Sequence, residues 1–460
     1  MEFGAWDLYI TRKFTPFEDY IAYQLSIKIM RYKQISQELF ILNRIKLLNK
    51  IKPYSLVIVN SNDEMPRNGD QNHPFRQNSD MFYLTGLDQE KCVLVLCPEH
   101  PLEEMREIVF TLQTNDTMVI WNGHKYTREQ AAEISGVKNV KWLDEFENIL
   151  KDLMLRSDHV YLNLNENPRY STEVPYKDLR FIEKLKREFP LHHFERLYPI
   201  LTELRLVKEP EEIEIIKRAC EITGKAFKRI LKMVKPGIME YEVEAEIAHE
   251  FIRSGVGGNS FAPIVASGKN ACVLHYVKND MEVKDGDLLL IDFGAEYANY
   301  AADCTRTIPV NGRFSQRQRA VYEAVLSVMK QATAIMLPGK TIDSWHKEVC
   351  VIMEKELIKL GLFTEEDVIN QKPDSKMFFK YYMHSTGHFM GMDVHDVGTR
   401  QQLFEKGMVL TCEPGIYIPD ENMGIRLEND ILIGDVPVDL MENIPIEADD
   451  IEKWMEVGDR

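Results

Sequence analysis

Five residues, Asp292, Asp303, His388, Glu413 and Glu428, each lie where strand-like sequence would turn a hard metal ligand inward, and this constrains the fold more than anything else in the chain. Leu288 to Gly294 reads LLLIDFG, an apolar run of strand type that ends in a carboxylate. A buried strand carries an acid only where something positive faces it. AADCTRTIPV puts Asp303 in a second such run, and GAEYANY between them supplies the reversal that would lay the two strands side by side. LTCEPGIYI ends a third apolar strand at Glu413 before a Pro-Gly turn. In GIRLENDILI, alternation turns Ile425 and Leu427 one way and Arg426 and Glu428 the other.

Four carboxylates brought this close repel, each close pair costing on the order of a few kcal/mol at an effective dielectric of about 20. Divalent cations remove that cost. One histidine among four acids is an oxygen-rich donor set, suited to Mn²⁺, Fe²⁺ or Co²⁺ rather than to the Cys-rich set of structural zinc. Taken singly, an acid after a strand is usually a turn residue or a helix cap, and a lone histidine is usually packed or solvated. HSTGHFMGMDVHDVG, from His384 to Gly398, weighs against that reading because three histidines and two aspartates crowd around glycines. His384 and His388 have the spacing of a helical zinc pair, but the HExxH glutamate is missing and Gly387 and Gly391 weaken a helix. The stretch reads as loop and strand, with one histidine a ligand and another free for proton work.

These blocks resemble the metallopeptidases of the pita-bread fold, the group of methionine aminopeptidase, prolidase and aminopeptidase P. LLIDFGAEYANYAADCTRT, HSTGHFMGMDVHD, TCEPGIYI and GIRLEND match that group's four ligand blocks in order. The resemblance implies two divalent metal ions, manganese first among them, on Asp292, Asp303, His388, Glu413 and Glu428, with Asp303 and Glu428 bridging. VASGKNACVLHY matches a further block and implies that His275 lies beside the substrate; His395 corresponds to a catalytic histidine behind the ligands. His73 to Glu99, HPFRQNSDMFYLTGLDQEKCVLVLCPE, and the late IPIEADDIEKWM resemble aminopeptidase P more closely than prolidase.

The implied activity is release of the amino-terminal residue from peptides with proline second. An Xaa-Pro bond is a tertiary amide without an N–H, which ordinary peptidases fit badly. A metal-bridging hydroxide would attack the carbonyl before proline, one metal and His395 would stabilise the oxyanion, and Glu413 would carry the proton to the leaving nitrogen. His275 would orient the substrate, and the free amino terminus would bind near Asp292. Arg426 reads equally as a clamp on a carboxylate or as plain charge balance. The rivals are a prolidase limited to dipeptides, a metal-free creatinase type, and a non-catalytic pita-bread binding protein; the intact ligand set weighs against the last two.

The remaining features set the frame. The 460 residues exceed one core and suit an extension at 1–35, an amino-terminal α/β domain at 36–200 and a pita-bread catalytic domain at 201–460. With 56 basic against 73 acidic residues and a net charge of −17, a nucleic-acid partner is not expected. Seven cysteines without a CxxC read as reduced core thiols of a cytoplasmic protein, and no run reaches the about 18 apolar residues of a membrane span. The resemblance adds a homo-oligomer, dimer or tetramer. SLVIV, CVLVLC, MVIW and VYLNL read as strands of the first domain, FRQNSDMFYLTG as a turn and an aromatic strand, and the stretch from Thr202 to Val234 as one long amphipathic helix with Pro210 in its first turn. RQRAVYEAVLSVMKQATAIM and TIDSWHKEVCVIMEKELIKLG read as helices covering the sheet that holds the ligands.

Overall fold

The central strands of the first half are built from apolar runs buried on both faces. The structure, a computed structural model, describes residues 31–372 and 376–456. Most of the proposed extension, residues 1–30, therefore lies outside the described residues. A six-stranded mixed sheet collects β1 (Ser55–Asn60), β2 (Val93–Leu96), β3 (Glu107–Thr111), β4 (Asn139–Trp142), β5 (His159–Leu162) and β6 (His193–Arg196) in the order β4-β3-β2-β1-β5-β6. SLVIV, VLVL and the start of VYLNL occupy its centre, and every residue of β1 and β2 is buried.

Two expected strands are helices. Met118–Trp121 falls in the helix Asp116–Asn122, where the Asn115 side chain accepts from Met118 N–H at 2.9 Å and Gly123 ends the turn. FRQNSDMFYLTG contains the helix Ser79–Thr85, capped by Asn78 on the Asp80 and Met81 amides and closed by Gly86 at φ 66°. In runs this short, caps at both ends outweigh apolar or aromatic content. The long helix is likewise interrupted: Tyr198–Leu206 is a separate helix, and Pro210–Met233 starts with Pro210 in its first turn and Glu209 extended before it.

The second half is built from short antiparallel sheets with helices on one face. β7 (Gly258–Asn259), β8 (Ile264–Ser267), β9 (Leu288–Phe293), β10 (Ala295–Tyr297), β11 (Tyr300–Ala301) and β12 (Cys304–Pro309) form the sheets β8-β9-β12 and β11-β10-β7. The expected reversal is itself a hairpin, turning at Ala298 and Asn299, both at positive φ (51° and 63°), as a tight two-residue turn requires. Farther along, β13 (Val409–Cys412), β14 (Gly415–Ile418), β15 (Met423–Arg426) and β16 (Asn429–Leu432) pair as β14 with β15 and β13 with β16. GIRLENDILI is thus two strands of different sheets, broken at Leu427–Glu428. The helices Gln316–Ala334 and Ile342–Lys359 lie where periodicity put them, and Trp345, fully buried, donates to Ala332 carbonyl at 3.0 Å. All seven cysteines are free. Among the described residues no helix is long and apolar enough to cross a membrane.

Gly294 joins β9 to the hairpin so tightly that a methyl group there would overlap the Ala302 carbonyl oxygen. Gly294→Ala should lower stability by about 3 kcal/mol, the upper end for overpacking, read as a lower thermal midpoint; an unchanged midpoint would contradict this packing.

Candidate metal centre

Asp292, next to the end of β9, pairs with Thr305 of β12, which places Asp303 one residue before β12 on the neighbouring strand path. Thr305 then ties this sheet to the second one. Its carbonyl accepts the Glu428 N–H at 3.1 Å, its hydroxyl donates to Glu428 Oε2 at 2.6 Å, and the same hydroxyl accepts from Arg426 Nε at 3.1 Å. Arg426 and Glu428 therefore share a face, as alternation implied, although the strand breaks between them. Glu413 follows β13, its N–H donating to the Thr386 carbonyl at 2.8 Å.

His388 reaches the acids from an irregular loop. Its Nε2 lies 3.4 Å from Asp303 Oδ2 and 3.8 Å from Glu413 Oε1. Its Nδ1 is 3.1 Å from the Phe389 carbonyl, so the proton belongs on Nδ1 and the Nε2 lone pair faces the carboxylates. Ligand atoms of Asp303, His388 and Glu428 all fall within 4.8 Å of one another, a spacing a cation could span. Of the five expected ligands, these three are brought together most tightly; Glu413 approaches through His388, and Asp292 is held to one side by Arg426, whose Nη2 donates to Asp292 Oδ2 at 2.6 Å. Arg426 also donates to Tyr417 OH at 2.9 Å, and so clamps a carboxylate, but Asp292 rather than Glu428.

The electrostatics fit a divalent cation. Asp292 Oδ1 and Asp303 Oδ1 are buried without a hydrogen-bond partner. Burial, followed by the neighbouring acids, pushes the Asp303 and Glu428 carboxyls well above the usual range, and Glu413 is pushed up to about 8, mainly by burial. Carboxyls out of water with open oxygens and a histidine lone pair among them form a set that a cation completes.

His384 also borders the acids, its Nδ1 3.8 Å from Glu413 Oε2 and its Nε2 2.9 Å from Tyr417 OH. His395 stacks edge-on against His388, ring centres 4.4 Å apart, and burial holds its pKa down at about 4, so it is neutral near pH 7. His275 is exposed, yet near enough for its charge to depress both His384 and His395. Several residues escaped the sequence reading. Thr305 could have been found from its alternation with Asp303. Asp430, fully buried and pushed up to about 8 by burial, accepts from the Asp303 N–H at 3.1 Å; its position two after Glu428 was a signal. Arg169, whose charge reaches His388, His395 and Glu413 from an exposed loop of the first half, had none.

Residues 214–435 match the family description "Metallopeptidase family M24", and residues 40–161 match "Aminopeptidase P, N-terminal domain". The chain is 34% identical to the Xaa-Pro aminopeptidase of Haemophilus influenzae over 92% of its own length and 98% of the relative's. It is 37% identical to that of Escherichia coli over 87% and 93%. Among solved structures, zinc-substituted Escherichia coli aminopeptidase P in complex with product superposes with a TM-score of 0.82 at 35% identity, covering 93% of this chain and 99% of that one.

Because Asp303 and Glu428 hold protons when no cation is bound, cation binding must expel them. Apparent affinity for Mn²⁺ should rise with pH, with Glu413 ceasing to contribute to that rise above about 8. Calorimetry in buffers of different ionisation enthalpy counts the released protons, and an affinity independent of pH would refute the assignment.

Proposed function

The chain belongs to metallopeptidase family M24, and from that membership we propose that it is an Xaa-Pro aminopeptidase, releasing the amino-terminal residue from peptides with proline second. The observation that carries this reading is the junction of Asp303, His388 and Glu428 in a chain whose first half matches the amino-terminal domain of aminopeptidase P. We assign Asp292, Asp303, His388, Glu413 and Glu428 as the residues that would hold two divalent ions, with Mn²⁺ the first candidate. When bound, these ions supply an activated water and polarise the scissile carbonyl.

The chain's own groups do the rest. Glu413 takes the proton from the attacking water and passes it to the proline nitrogen, which has no N–H and departs only once protonated. His395, neutral near pH 7, has a ring N–H to offer the carbonyl oxygen as it becomes negative. His275, exposed to the incoming chain, orients the peptide. Arg426 holds Asp292 in place beside the free amino terminus. Other parts of the proposal are a division into 36–200 and 201–460, cytoplasmic residence in keeping with seven free thiols, and a dimer or tetramer as the working form.

The relatives favour an aminopeptidase over a prolidase confined to dipeptides, since the chain is 34% and 37% identical to two Xaa-Pro aminopeptidases and 29% identical to the Xaa-Pro dipeptidase of Mus musculus.

Hydrolysis of Xaa-Pro and Xaa-Pro-Xaa peptides, with chelator and with added Mn²⁺, tests the proposal. Tripeptides should be cleaved, chelator should abolish cleavage and Mn²⁺ should restore it; cleavage of dipeptides alone would establish a prolidase. His395→Ala should lower kcat by about 10²–10⁴, and a loss under about tenfold would contradict its role.

A further inference from the structure

His395 sits on a turn that the second half of the chain does not hold by itself. Residues 391–396 form no helix or strand, and among the described residues no side chain hydrogen-bonds to the His395 ring. Its orientation therefore depends on its backbone and on edge-on packing against His388, and irregular segments are the mobile parts of a fold. Yet positioning errors of about 1 Å can cost as much as 10²-fold in rate.

Second-half backbone braces the ends of the turn, Ala301 N–H donating to the Gly391 carbonyl at 2.8 Å and Asp396 N–H to the Phe389 carbonyl at 3.0 Å, and the first half grips what lies between. Arg76 Nη2 donates to the Met392 carbonyl at 3.0 Å and to the Asn299 carbonyl at 3.2 Å, while its Nε donates to Glu296 at 2.7 Å. One guanidinium thus fastens both the turn and the hairpin between Asp292 and Asp303. Ser79 Oγ donates to Asp393 Oδ1 at 2.7 Å, and Asn167 Nδ2 to the His395 carbonyl at 3.4 Å. Arg205, 4% exposed, forks among three carboxylates: Asp80 of the first half at 2.7 Å, Asp393 at 2.7 Å and Asp396 at 2.6 Å. Lys208 adds a second cation on Asp396 at 3.1 Å.

A buried ionic cluster of this kind returns little net stability over an apolar one of the same shape, so its value lies in the single geometry it permits. Arginine suits the task, since a planar fork fixes direction where an ammonium would not. We propose that the first half of the chain is a positioning device for His395, with Arg76, Ser79 and Asn167 acting directly on the turn 391–396 and Asp80 acting through Arg205. Arg76 and Arg205 touch no reacting atom; they are positioning residues. The inference rests on the reading of His395 as the group facing the substrate carbonyl.

Arg205→Lys is the direct test, but loosening a buried arginine from Asp80 and Asp396, both buried, can unfold the protein, so Arg76→Met at the half-buried edge serves beside it. The first readout needs no activity. Deuterium uptake of the 389–397 segment in the full-length protein should speed up about tenfold in Arg76→Met, as expected when local contacts that protect a segment are lost. Unchanged uptake there overturns the proposal. The second readout is a double-mutant cycle. Arg76→Met should lower kcat about tenfold with KM within about threefold and bound metal unchanged, in line with a small misplacement, and should have less than about a twofold effect in a His395→Ala background. Equal losses in both backgrounds overturn the route through His395. If the wild type cleaves no Xaa-Pro peptide, the functional reading fails, and deuterium uptake alone still decides whether the turn is held from the first half.

Discussion

Asp303 and Glu428 lie close together out of water, on chain segments from two different sheets, and among the described residues no lysine or arginine forms an ion pair with either. Leaving two such carboxylates ionised would be strongly unfavourable, and leaving them protonated wastes the acceptor oxygens that Asp303 already has unpaired. The surroundings are arranged to hold this arrangement in place. Thr305 joins the two sheets through its carbonyl and its hydroxyl, Arg306 donates to the Glu428 carbonyl at 2.8 Å, and Asp430 accepts the Asp303 N–H.

Asp292 shows the contrast. It too is buried in a strand, but Arg426 sits on it at 2.6 Å. One acid of the set is thus neutralised by the protein itself while Asp303 and Glu428 are left open. A site built this way keeps part of its shape without relying wholly on the ions, which is what orienting groups behind metal ligands contribute.

Much of this was legible in the sequence wherever a residue broke a strong pattern. An acid at the end of LLLID and the alternation of Arg426 and Glu428 stand out because burial on a strand leaves few choices, whereas the fold class came from the resemblance of the ligand blocks to a known family. Long amphipathic runs such as Gln316–Ala334 were legible for the same reason, a period repeated over many turns. Short elements were not. Ser79–Thr85 and Asp116–Asn122 have too few residues for a period to show, and the asparagine caps that decide them resemble ordinary turn residues. The break at Leu427–Glu428 was hidden because alternation continues through it, although the pairing partner changes.

Contacts between distant parts of the chain were illegible for a different reason. Arg76 and Met392, or Asp80 and Arg205, meet only because two separately folded layers pack together, and no local pattern marks an arginine that reaches across such a boundary. The sequence shows FRQNSDMFYLTG as a recognisable block without showing why it is one. In the folded chain the reason is plain: Arg76, Ser79 and Asp80 in that block all act on the turn that carries His395, two of them directly and the third through Arg205. A segment with no ligand and no reacting group can then be as constrained as the metal blocks, because the geometry of a distant histidine is set through it.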